Sequence, residues 1–168
     1  VALSGYLPAD STRLVFIIRD PVARTFSAMK MYSRKRDHDL PLHDQRLFTL
    51  IRSAERPDCV ARTDYTRILA NWESVYGKRN IKILEFGELT REPARVLRDL
   101  AAYLGAADSE WFDCKSIPGA KVHASDVSAL PPGLRRYLVW RWCPMVETLQ
   151  KRLGSTAVPW GASIREEY

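Results

Sequence analysis

Between Arg13 and Arg36 the chain reads RLVFIIRDPVARTFSAMKMYSRKR, and the spacing of its apolar positions changes partway along. Leu14, Val15, Phe16, Ile17 and Ile18 form a continuous apolar run rich in β-branched and aromatic residues, the pattern of a strand covered on both faces. Val22, Phe26 and Met29 then recur at i, i+4 and i+7, which is one face of a helix. Arg19, Asp20 and Pro21 stand between the two patterns. Asp20 is a good N-cap and Pro21 suits the first helical position, so strand and helix are joined by a tight turn. A helix start leaves N–H groups unpaired and carries the positive end of the helix dipole, which makes it an anion site. Ser27, about two turns in and off the apolar stripe, leans back toward that start. The Arg19 guanidinium, the Ser27 hydroxyl and the helix start can therefore converge on one phosphate. The plainer alternative is that Arg19 pairs with a surface carboxylate and Ser27 only fills its place.

Further along, Leu47, Leu50 and Ile51 predict a short helix before Pro57. Tyr65, Ile68, Leu69, Trp72, Val75 and Tyr76 fall on one stripe of a longer helix that Gly77 terminates. After the turn at Lys78-Arg79-Asn80, Ile81 to Phe86 reads as a second strand. Its end, Gly87-Glu88-Leu89, runs into a helix near Pro93 whose core face is Val96, Leu97, Leu100, Tyr103 and Leu104, closed by Gly105. Asp108 to Leu130 has little periodicity, which suits a loop that closes over a ligand. The last helix starts after Pro131-Pro132-Gly133 with Leu134, Tyr137, Leu138 and Trp142. It is expected to break at Pro144 and to resume through Val146, Leu149 and Leu153 to Gly154. Strand-helix alternation of this kind predicts parallel strands with helices on the faces, hence an α/β sheet with a helix-rich C-terminal half. Ligands in such sheets bind at the carboxyl ends of the strands, where Arg19 and Glu88 stand.

Composition narrows the partners. Of the 168 residues, 46% are hydrophobic and 27% charged, which is ordinary for a globular protein and unlike a disordered one. The net charge of +6 favours polyanionic or phosphorylated partners, nucleic acid among them. Lys30, Arg34, Lys35 and Arg36 concentrate part of it, as a solvated face or as a guide for an anionic acceptor. His38 and His43 follow in a polar loop, where lone histidines are more often neither base nor ligand. Cys59, Cys114 and Cys143 are scattered and without CxxC spacing, so neither a disulfide framework nor a metal site is indicated, and a reducing compartment fits best. No apolar run approaches the length of a membrane span, and VALSGYLPAD lacks a signal-peptide pattern.

The run RDPVARTFS, with Ser27 eight residues after Arg19, resembles the 3′-phosphate-binding motif of sulfotransferases that use 3′-phosphoadenosine 5′-phosphosulfate (PAPS). The likeness is to the carbohydrate type, such as heparan sulfate N- and O-sulfotransferases and their bacterial relatives. Tyr65, Trp72, IKILEFGEL, TREPARVLRDLAAYLG and LGSTAVPW fall in the order of that family, so the resemblance runs from about Leu14 to Trp160. It implies a P-loop-kinase-like parallel sheet flanked by helices, with Arg19 and Ser27 on the 3′-phosphate of PAPS or of its product, adenosine 3′,5′-bisphosphate (PAP). It also implies that Tyr65 touches the nucleotide, although its place on a helical stripe favours core packing. A later family loop, often Lys-Gly-Arg, corresponds here to IPGAKVHASD, where Gly119 and Lys121 are the nearest counterparts.

The family's lysine-bearing phosphosulfate loop and its catalytic base, a Glu or His, precede the first strand, and nothing before Leu14 resembles them. Residues 1–168 are accordingly expected to be the C-terminal part of one sulfotransferase domain, with no catalytic residue assigned. The implied reaction moves a sulfuryl group from PAPS to a hydroxyl or amine of a carbohydrate or small metabolite. The expected compartment is the cytoplasm, or the Golgi lumen if an upstream segment carries an anchor. Two rivals remain: a nucleotide or small-molecule kinase, which needs a phosphate loop and a magnesium carboxylate, and a basic nucleic-acid-binding module. Trp140 and Trp142 among Arg135, Arg136 and Arg141 hint at the latter, but an amphipathic helix docking on the sheet explains them more simply.

Overall fold

The computed structural model describes residues 7–34, 42–106 and 129–168, apart from the side chains of Arg34 and His43. They gather into two compact units, the first from residues 7–19 and 69–106 and the second from residues 20–34, 42–68 and 129–168.

In the first unit, β1 (Leu14–Ile18) pairs in parallel with β2 (Ile81–Glu85). The register runs from Leu14 beside Ile81 to Ile18 beside Glu85, so both strands end at the same level. Side chains of a strand alternate between faces. Ile18 is buried and Leu14 and Phe16 partly so, whereas Val15 and Ile17 are 39% and 46% exposed. The expectation of a strand covered on both faces is therefore corrected: a continuous apolar run does not reveal which alternate positions find a partner.

Asn80, 4% exposed, ties this unit together. Its amide nitrogen donates to the carbonyls of Ala9 at 2.8 Å and Tyr76 at 2.9 Å, and its carbonyl oxygen accepts from Arg13. A buried amide with its bonds made is stabilising; the same amide left unpaired would cost about 1–3 kcal/mol.

β2 continues without a loop into a helix that the sequence pattern missed, α5 (Phe86–Arg91), and then α6 (Pro93–Leu104). Their residues have helix spacing, but α5 is too short to show a period. Gly105 closes α6 at φ 75°, the left-handed conformation of a helix C-terminus. From α6 the Tyr103 hydroxyl donates to the Leu14 carbonyl at 3.4 Å, which holds the helix against β1.

The second unit is helical: α1 (Pro21–Arg34), α2 (Leu47–Ala54), α3 (Pro57–Thr63), the first turn of α4 (Tyr65–Tyr76), α7 (Pro132–Leu153) and α8 (Gly161–Glu167). Val22, Phe26 and Met29 of α1 are all buried, as their spacing predicts. Tyr65 is 1% exposed, a core residue. α7 packs against α1, α2 and α8, burying Leu134, Leu138, Trp142, Val146 and Leu149. Within its unit the helix docks on other helices.

It also runs unbroken through Pro144, which corrects the expected interruption. A proline deletes one N–H, the donor to the carbonyl four residues back, here Trp140. Pro144 and Trp140 are both exposed, so the missing bond falls on the solvent side of the helix. Cys59 and Cys143 are free, buried thiols, and burial raises the pKa of each. No helix among the described residues is long and apolar enough to cross a membrane.

Candidate functional site at the carboxyl ends of the strands

The parallel register decides what surrounds Arg19. Because Ile18 lies beside Glu85, the next residue of each chain segment, Arg19 and Phe86, leaves the sheet at the same level. The Arg19 guanidinium accordingly sits 5.0 Å above the centroid of the Phe86 ring. This is a cation–π arrangement, and it orients the planar donor fork at the carboxyl end of the sheet. The sequence pattern ends the strand at Phe86, whereas the strand stops at Glu85 and α5 opens on Phe86. Its role was findable only by aligning the two strand ends.

The same edge carries an ordered group of charges. Glu85, 7% exposed, caps α5 by accepting from the Glu88 N–H at 2.9 Å, and the Arg91 guanidinium lies 3.9 Å from it. Gly87 makes the cap possible, since a Cβ there would stand 2.7 Å from the Glu85 carboxylate. Arg95 is engaged by Glu92 at 2.6 Å, Asp99 at 3.3 Å and Glu88 at 3.6 Å. Glu92, first among these carboxylates, holds the Arg95 pKa up. Three carboxylates leave Arg95 little to offer an anion.

On the other side of the motif, the start of α1 behaves as a capped helix and not as an open anion cradle. Pro21 has no N–H. The Val22 and Ala23 N–H groups donate to the Asp20 carboxylate at 2.8 and 3.4 Å, and Arg24 N–H donates to the Asp20 carbonyl at 2.8 Å. The first-turn donors that the sequence pattern assigned to a phosphate are thus already used, and by a carboxylate. A phosphate bound by this motif must rely on side-chain donors.

Arg19 belongs to the first unit and the partly buried Ser27, on α1, to the second. Lys121 and Gly119 lie outside the described residues, as do Lys35, Arg36 and His38. Of the basic cluster, the Lys30 ammonium rests 5.0 Å over the Phe26 ring. Glu88, expected at the end of the second strand, stands in the first turn of α5.

The fold is thus helix-rich α/β with a small parallel strand pair that presents an arginine at its carboxyl edge. Residues 10–110 match the sulfotransferase family, a span that contains Arg19 and Ser27 and ends before Lys121, and the chain belongs to that family. Among solved structures it is similar to a sulfotransferase from Alicyclobacillus acidocaldarius, with 24% identity and a TM-score of 0.58. That likeness of fold covers 84% of this chain and 54% of the other, so the chain spans about half the length of that protein. No curated protein matches it.

Proposed function

We propose that this chain acts in PAPS-dependent sulfuryl transfer, with Arg19 and Ser27 holding the 3′-phosphate of the donor and Lys121 closing over the nucleotide. The observation that carries the proposal is the Arg19 guanidinium, oriented over Phe86 at the carboxyl end of a parallel strand in a sulfotransferase-family chain. A guanidinium fork matches two phosphate oxygens, and a serine hydroxyl can donate to the third. With the helix-start donors bound to Asp20, that side-chain pair carries the selectivity for a 3′-phosphate.

In the reaction, a lone pair of an acceptor hydroxyl or amine attacks sulfur. The bond from sulfur to the bridging oxygen of the 5′-phosphate breaks, PAP leaves with that electron pair, and the acceptor proton passes to a base. Such transfer depends on alignment and on stabilising charge at the leaving oxygen, not on a covalent enzyme intermediate. No described residue is assigned as the base. The acceptor is a carbohydrate or a small metabolite, and the proposed setting is the cytoplasm.

The test compares PAP with AMP, which lacks the 3′-phosphate. A ligand at 100 times its Kd stabilises the native state by about 2.7 kcal/mol. PAP is expected to raise the melting temperature at concentrations where AMP does not. Equal stabilisation by the two removes the basis for the Arg19 and Ser27 assignment.

A further inference from the structure

One face of α7 takes no part in the core. Tyr137, Trp140, Arg141, Pro144 and Thr148 follow at i, i+3, i+4, i+7 and i+11, opposite the buried stripe of the same helix. Around them the second unit forms two adjoining depressions that share Arg141 and Pro144. The first, about 430 Å³, is lined by Tyr137, Trp140 and Tyr168 besides these two. Trp140 is 59% exposed, with its ring 5.8 Å from that of Tyr137. The second, about 320 Å³, is lined by Asp64, Thr66 and Thr148 among others. An aromatic lobe therefore continues into a lobe of hydroxyls and a carboxylate.

The charges at this face are already balanced. Glu55 accepts from the Tyr137 hydroxyl and from the Arg141 guanidinium, each at 2.9 Å. Asp64 accepts from the Thr66 hydroxyl at 2.9 Å and from the Arg67 N–H at 3.1 Å, and the Arg67 guanidinium lies 3.7 Å from it, so this carboxylate too is paired. A phosphodiester would meet these carboxylates and a guanidinium already paired, so a polyanion is disfavoured. An exposed indole face beside hydroxyl and carboxylate groups suits a neutral ring with apolar C–H faces and a polar rim, which describes a pyranose.

We propose that this groove binds a neutral oligosaccharide, one sugar ring stacking on Trp140 and the next making hydrogen bonds in the Asp64, Thr66 and Thr148 lobe. None of these residues enters the sulfuryl-transfer reading, so the two stand or fall separately.

Cellohexaose, maltohexaose and chitohexaose serve as probes, titrated by calorimetry and by tryptophan fluorescence. At least one is expected to bind saturably, with an affinity unchanged between low and high salt. Trp140→Ala should weaken that binding roughly tenfold and Trp140→Tyr should retain most of it. Trp140 is exposed, so the circular dichroism and melting temperature of both variants should match the parent. The proposal is overturned if none of the three sugars binds, or if Trp140→Ala binds as well as the parent. It is equally overturned if Trp140→Ala instead removes salt-sensitive binding of a thymidine dodecamer or self-association in sedimentation, which would make the face a nucleic-acid or subunit contact.

Discussion

The helix that carries Ser27 is anchored by one buried polar bond whose removal has a calculable effect. The Trp142 indole N–H donates to the Thr25 hydroxyl at 3.2 Å, and the two residues are 2% and 0% exposed. Thr25→Val replaces the hydroxyl by a methyl of nearly the same size, so no cavity opens. The two β-branched residues have similar helix propensity, so α1 itself is unaffected. What remains is an indole N–H buried without an acceptor, at a cost of about 1–3 kcal/mol. For a chain of this size, each kcal/mol lowers the melting temperature by about 2–4 °C, so the expected loss is roughly 2–12 °C. Urea unfolding should show a lower midpoint at unchanged slope, since the surface exposed on unfolding stays the same. Thr25→Ser keeps the oxygen and should recover most of the loss. In the pair Thr25→Val and Trp142→Phe no orphaned donor exists, so the double variant should be no less stable than Trp142→Phe alone. The reasoning fails if Thr25→Val melts with the parent, or if the two losses simply add.

Other consequences are as direct. Arg19→Ala removes charge-assisted hydrogen bonds worth about 1.5–3 kcal/mol, so PAP affinity by calorimetry should fall roughly 10- to 150-fold while the melting temperature of the free protein holds; unchanged affinity would return Arg19 to the surface. Gly87→Ala sets a Cβ 2.7 Å from the Glu85 carboxylate, and the displaced N-cap, typically worth about 1 kcal/mol, cancels a gain in helix propensity of at most about 1 kcal/mol. Lower stability in that variant, or none gained, is the outcome that urea titration should read. Burial, and then the hydrogen bond to Glu55, push the Tyr137 phenol up to about 12 from the ordinary 10.0. A proton held more tightly in the native state stabilises it fully below about pH 10, and the contribution is lost as pH rises through about 12. Ultraviolet titration should therefore lose a late-titrating tyrosine in Tyr137→Phe.

The linear pattern was enough for everything whose cause is local. The period change after Ile18, the Asp20 cap, the Val22, Phe26 and Met29 stripe, the close of α4 at Gly77 and of α6 at Gly105 all depend on residues within a few positions of one another, and each stands in the structure as read. The arginine and serine spacing, and with it the family, was legible for the same reason. Short elements were not: α3, α5 and α8 have seven, six and seven residues, too few for a period to emerge.

Tertiary structure decided the rest, because it depends on which distant residues meet. Whether Val15 and Ile17 are covered, and whether a proline stops a helix or is tolerated on its solvent side, are questions of partner and solvent, which sequence spacing does not encode. The placement of Arg19 over Phe86 is the clearest instance. Sixty-six positions of chain separate the two, and only the register of two parallel strands, set by backbone pairing along their whole length, brings the guanidinium and the ring to the same edge.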